Sequence, residues 1–144
     1  TFDVLFIKYE CLYFNHKEDE IKTIDIREFK GDLVRSVSFF DGMSERVEVK
    51  DGLTIKIIFK KGDTIKKIYS YPDGETKSIE HYRNLELVVE ELFDFSGLKI
   101  AENHYKKDKL TSYVDFDEEG NKILEIDYDE KGKKIREVKY KIKK

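Results

Sequence analysis

Apolar and polar positions along this chain alternate in short blocks. Runs of six to eleven residues rich in Ile, Val, Phe, Tyr and Thr are separated by brief phrases of Asp, Glu, Lys, Asn and Gly. Successive side chains of a strand point to opposite faces, so runs of this length with period-two alternation predict half-buried β-strands. The last two copies of the unit display it most plainly. Residues 120–128 read GNKILEIDY and residues 132–140 read GKKIREVKY. Strict alternation puts Leu124, Ile126 and Tyr128 on one face, with Arg136, Val138 and Tyr140 as their equivalents. Ile123, Glu125 and Asp127 point the other way, matched by Ile135, Glu137 and Lys139. The expectation is a sheet with one apolar, aromatic face and one charged face.

The glycines set the period. They fall at 31, 42, 52, 62, 74, 97, 120 and 132, so that the intervals are 11, 10, 10, 12, 23, 23 and 12. The two long intervals are double ones, and near their midpoints stand Asn84 and Asp108. Gly, Asn and Asp are the residues that accept the positive φ of tight hairpin turns. Asp precedes Gly at 41, 51 and 73, and Lys precedes it at 61. One further turn is expected at residues 15–20. Turn signals at this spacing predict an all-β fold with an internal repeat. We therefore expect an antiparallel up-and-down meander of 10 to 12 short strands, an open twisted sheet or β-roll, with a closed barrel as the alternative. Residues 1–144 read as a single domain, with atypical strands over 1–35 and regular hairpin repeats over 36–144. The apolar run over residues 2–14 is expected to supply much of the core.

Residues 85–95 satisfy two templates. Leu85, Val88, Val89, Leu92 and Phe93 fit a helical stripe with Asn84 as N-cap. Leu85, Leu87, Val89, Phe93 and Phe95 fit strand alternation, and the phase of the repeat selects the strand.

A Tyr or Phe closes the run at 59, 71, 82, 105, 116, 128 and 140. Three phrases then lead to a turn glycine: Tyr71 through Pro72 and Asp73 to Gly74, Phe116 through Asp117 to Gly120, and Tyr128 through Asp129 to Gly132. A two-strand unit of about 23 residues with these marks resembles the variant MORN-type repeats of bacteria. It also looks like the tyrosine–aspartate repeats of bacterial toxin shells. The likeness spans residues 36–142. MORN repeats carry more glycine than this chain has. The resemblance implies a twisted β-array in a bacterial protein of the antitoxin-component kind.

Composition changes this picture in three respects. A charged fraction of 41% and a mean hydropathy of -0.65 would suit a disordered chain. However, Leu, Ile, Val and Phe together number 44 of the 144 residues, aromatics reach 13% and Pro occurs once, so the chain folds around a thin core. A net charge of -3 supplies no overall basic field, so no nucleic-acid partner is expected. A single cysteine, Cys11, excludes an internal disulfide, and no apolar run is long enough for a transmembrane helix. The chain begins at Thr1, which leaves the compartment open between the bacterial cytoplasm and, where a leader precedes it, the cell envelope or secretion.

Few residues suggest chemistry. Asp115, Asp117, Glu119 and Gly120 imitate half of a calcium loop, but its twelfth position is Ile126 rather than a bidentate Glu. The register recurs at Asp127, Asp129 and Lys131, with lysine in a ligand place, so a repeated acidic turn accounts for both. His16, His81 and His104 lie in no metal-binding spacing, although His81 and His104 would share a face if their strands were close. Cys11 has no sequence partner and reads as a structural thiol. Neither a phosphate loop nor a nucleophile elbow is present, so no catalytic residue, metal or cofactor is expected and the chain reads as non-catalytic. Residues 131–144 carry eight basic residues and one acid beside the acidic residues 115–130. Adjacent strands of a meander would pair these charges.

These readings point to a protein that binds another protein, with an immunity or antitoxin role as the most concrete form. Tyr71, Tyr82, Tyr105, Phe116, Tyr128 and Tyr140 form the expected interaction surface. The alternatives are a β-barrel for a small apolar ligand and a bacterial surface or secreted structural module.

Overall fold

The computed structural model describes the backbone of residues 4–9, 21–29, 32–39 and 42–141, and the side chains of residues 42–141. Cys11, His16 and the turn expected at 15–20 lie outside the described residues, as do the side chains of the N-terminal apolar run. Every regular element among the described residues is a β-strand, and twelve are present. They fall into two compact units, Thr1–Pro72 and Asp73–Lys144. The first holds β1 (Val4–Tyr9), β2 (Ile21–Phe29), β3 (Asp32–Phe39), β4 (Met43–Lys50), β5 (Leu53–Lys60) and β6 (Asp63–Ser70). The second holds β7 (Thr76–Arg83), β8 (Glu86–Phe93), β9 (Lys99–Lys106), β10 (Lys109–Phe116), β11 (Lys122–Tyr128) and β12 (Lys134–Lys139).

Inside each unit, every strand pairs antiparallel with the next in chain order. The first and last strands of a unit do not pair with each other, so neither meander closes on itself. An enclosed apolar lumen needs that closure, and the barrel alternative finds no support in either unit. Residues 86–93 form a strand, as the repeat phase requires.

Among the described residues, two kinds of turn recur between the strands. Four hairpins use two-residue turns with both φ angles positive: Asp51 and Gly52, Lys61 and Gly62, Asn84 and Leu85, Lys107 and Asp108. Two positive φ angles define the type I′ turn, whose twist matches that of the flanking strands. Asn84 and Asp108, placed by interval arithmetic, are thus turn residues. Leu85 is the costly member, a γ-branched side chain held at φ 66°.

The second kind starts on an aspartate. Asp94, Asp117 and Asp129 each donate their N–H to the carbonyl four residues on, at 2.8–2.9 Å. Each also accepts the N–H of the glycine three residues on at its own carbonyl, at 3.0–3.1 Å. Oδ1 of each accepts the backbone N–H groups two and four residues ahead. For Asp94, the hydrogen bond from the Ser96 side chain leads the effects that hold its carboxyl below the usual range; for Asp117 it is the Asn121 backbone N–H. The calcium-like register therefore repeats because the turn repeats.

Each hairpin of the second unit also shifts register once. The residue left without a direct partner is Val88, Ile100, Thr111, Ile123 or Ile135, and Ile65 plays the same part in the first unit. These six are β-branched and stand one or two residues into the strand that follows a turn, whereas in β2 the residue without a direct partner is Lys22. Such a bulge raises the local twist and re-aims the side chains beyond it.

The core is thin. Among the described side chains only Ala101, Val114 and Ser78 are buried, at 3%, 3% and 8% exposure. Most of the remaining strand residues are half-buried.

Candidate functional site

Directly paired residues of an antiparallel sheet share a face. In the second unit, Ser78, Leu92, Ala101, Asp115 and Leu124 make one row, and Glu80, Glu90, Asn103, Tyr113 and Ile126 the next on that same face. Tyr82, Tyr105 and Tyr128 extend it. The opposite face carries the row of Ile79, Glu91, Glu102, Val114 and Glu125, then that of His81, Val89, His104, Ser112 and Asp127.

This arrangement corrects the strict alternation expected from sequence. Arg136 pairs with Asp127, and Val138 with Glu125. Arg136, Val138 and Tyr140 therefore lie with Glu125 and Asp127, and not with Leu124, Ile126 and Tyr128. Adjacent strands carry similar sequences in opposite directions, and the bulge adds a residue. Equivalent positions consequently recur on one face only after two strands. Tyr82, Tyr105 and Tyr128, each 23 residues from the next, obey this rule and share the first face. Phe116 and Tyr140 lie on the second: Lys99 Nζ sits 4.9 Å from the Phe116 ring centre, and Tyr140 donates to Glu125 Oε2 at 2.7 Å. Tyr71 belongs to the first unit, one residue beyond β6. The expected aromatic ladder is thus divided between two faces and two units.

The first face is a tyrosine and carboxylate surface. Tyr82 donates to Glu80 Oε1 at 3.1 Å, and Asn103 Nδ2 donates to Glu90 Oε1 at 3.0 Å. Tyr113 donates to Asp115 on the same strand. Burial, then the charge of Glu80, pushes Tyr82 up to about 12. The hydrogen bond to Asp115 pushes Tyr113 up to about 12, with burial adding to it. Burial raises Tyr105 as well, helped by Glu90 and Glu80. All are hydroxyls that keep their protons beside anions.

The second face is an ion-pair chain. His81 Nε2 donates to Glu91 Oε1 at 2.5 Å. Lys99 Nζ lies 3.2 Å from Glu91 and 2.6 Å from Glu102, and His104 Nε2 lies 3.5 Å from Glu102. The bulge at Ile100 puts Lys99 here, because Lys99 pairs with Phe93 rather than following Ala101 onto the tyrosine face. Burial raises Glu91, but the hydrogen bonds from His81 and Lys99 outweigh it and hold the carboxyl below the usual range. His81 and His104 do share this face, on strands either side of β8. The expected charge pairing of the C-terminal strand is also here: Arg136 Nε lies 2.5 Å from Asp127, and its Nη2 lies 3.3 Å from Glu125.

Sequence reasoning missed Tyr113, Asn103, Glu90 and Lys99. The 23-residue spacing of Tyr82, Tyr105 and Tyr128 was a usable signal for one face. Lys99 had none, since its side depends on the bulge.

No family model and no curated protein matches this chain. A similar solved structure is a chain of the glycosylation-associated protein (Gap123) complex from Streptococcus agalactiae. It is 20% identical, with a TM-score of 0.48, over 58% of this chain and 18% of that one. This chain thus spans less than a fifth of its neighbour's length.

Proposed function

We propose that this chain is a non-catalytic β-repeat protein that binds another protein, and that the tyrosine face of β7 to β12 is its recognition surface. One observation carries the reading: Tyr82, Tyr105 and Tyr128 fall half-buried on one face of an open meander, amid carboxylates and an amide. Tyrosine offers a large contact area for the loss of few rotamers, and it is enriched where binding energy concentrates. Glu80, Glu90, Asn103 and Asp115 around the rings can supply the polar contacts. Neutralising a toxin by direct binding is the form of this reading that the resemblance to variant MORN-type and tyrosine–aspartate repeats implies.

The test is capture from a lysate of the source cell, with mass spectrometry of what is retained. The wild type should hold one protein in stoichiometric amount. The triple change Tyr82→Ala, Tyr105→Ala and Tyr128→Ala should release it, while Tyr140→Ala on the opposite face should not. Urea unfolding of each variant separates lost contact from lost fold. A partner that the triple variant keeps would reassign the surface, and an empty wild-type bait would end the protein-binding reading.

A further inference from the structure

The turn of hairpin β9–β10 and the loop between β11 and β12 lie at the same end of the second unit. Between them opens a cleft of about 530 Å³, lined by Lys106, Lys107 and Lys109 on one side and by Tyr128 and Glu130 on the other. A shallower depression of about 370 Å³ continues it past Lys109 and Tyr128 towards Lys131. The volume suits a small molecule.

Three lysines face two carboxylates at the cleft. Lys99, Lys122 and Lys134 each stand within 4.0 Å of a carboxylate. Among the described residues, Lys106, Lys107, Lys109 and Lys131 make no ion pair. One of the two acids at the cleft is already engaged, because Asp129 Oδ1 accepts the N–H groups of Lys131 and Lys133 at 2.9 Å each. Glu130 is exposed. The register shift at Thr111 and the fixed φ angles of Lys107 and Asp108, 51° and 62°, set the lysine-bearing turn beside the Tyr128 ring.

We propose that this cleft binds a phosphate ester carried on a hydroxylated ring, a sugar phosphate or a nucleotide. The lysines hold the phosphate as point charges. The Tyr128 ring packs against the ligand's ring, and Glu130 accepts from its hydroxyls. This site shares Tyr128 with the protein-binding face but goes beyond that reading, for it needs no protein partner.

Amide shifts of the isotopically labelled full chain, titrated with inorganic pyrophosphate, ribose 5-phosphate and ADP, test it. Each probe should saturate, with the largest shifts at residues 106–111 and 128–131. ADP binding more tightly than ribose 5-phosphate assigns a nucleotide, and equal binding assigns a sugar phosphate. Lys107→Glu combined with Lys109→Glu alters only exposed side chains and should weaken all three probes about tenfold or more. Tyr128→Ala should weaken ADP about tenfold and leave pyrophosphate unchanged. Shifts that do not saturate near about 1 mM, that scatter over Lys77 and Lys122 as well, or that survive the double lysine change would overturn the proposal.

Discussion

The two faces of the β7 to β12 meander are built from the same strands and are rich in the same residue type, yet they treat their carboxylates in opposite ways. On the tyrosine face, Glu80, Glu90 and Asp115 accept from a tyrosine, an asparagine and a second tyrosine. On the histidine face, Glu91, Glu102, Glu125 and Asp127 meet Lys99, His81, His104 and Arg136. Neutral donors satisfy hydrogen bonds and leave the charge in place, so the neighbouring hydroxyls hold their protons up to about 12. Cationic donors compensate the charge, so Glu91 ionises more readily than usual. One face thereby keeps its carboxylate charge, whereas the other ties its carboxylates to cations.

The largest expected effect tests whether both faces carry the thin core. Val114 is buried on the histidine face and Ala101 on the tyrosine face. Val114→Asp would leave an unpaired charge among Glu102 and Glu125, and should cost about 3 kcal/mol of stability in urea unfolding. Ala101→Asp should cost a comparable amount. A loss for one and not the other would show that a single face holds the fold.

A smaller effect tests the ion-pair chain. Glu91 and Glu102 are directly paired across strands and Lys99 bridges them. Lys99→Met should lower stability by about 1 kcal/mol, through like charges left opposite each other. Adding Glu102→Gln should recover most of the loss, and no recovery would deny the bridging role. Tyr82→Phe, on the other face, should change stability less than Lys99→Met does.

The smallest effects come from pH, and they separate the faces by direction. Glu91 is lowered on folding, so its contribution is present above the ordinary glutamate range and fades as pH falls through its folded value. Tyr82 and Tyr113 are raised from 10.0 to about 12, so their contribution is present below 10 and fades as pH rises towards 12. Ultraviolet titration should show Tyr82 and Tyr113 among the late-ionising tyrosines, with one late proton fewer in Tyr82→Phe. Lys99→Met should flatten the acid limb of the unfolding profile and spare the alkaline one. A change in both limbs would mean that the faces are coupled.

Much of the fold was legible because turns are local. The positive φ of Asn84 and Asp108 follows from residue type and interval alone, and the same grid settled the strand at Glu86–Phe93 against its helical alternative. The Asp94, Asp117 and Asp129 loops repeat one hydrogen-bond pattern that an aspartate followed by a glycine three residues on already announces. The candidate site was legible in part. The spacing of Tyr82, Tyr105 and Tyr128 predicts one face, but Phe116 and Tyr140 were grouped with them by counting single strands. Lys99 could not be assigned, because a bulge that leaves Ile100 unpaired decides its side.

What the amino-acid order determined by itself was the period, the turns and the strand class, since these rest on φ preferences and alternation within a few residues. What the tertiary structure alone decided was the face. Side chains alternate with a period of two, so one extra residue per hairpin reverses every position beyond it. Only the cross-strand register shows where that residue is absorbed. That register brings Arg136 to Asp127, Lys99 to Glu91 and Glu102, and Lys109 to the cleft beside Tyr128.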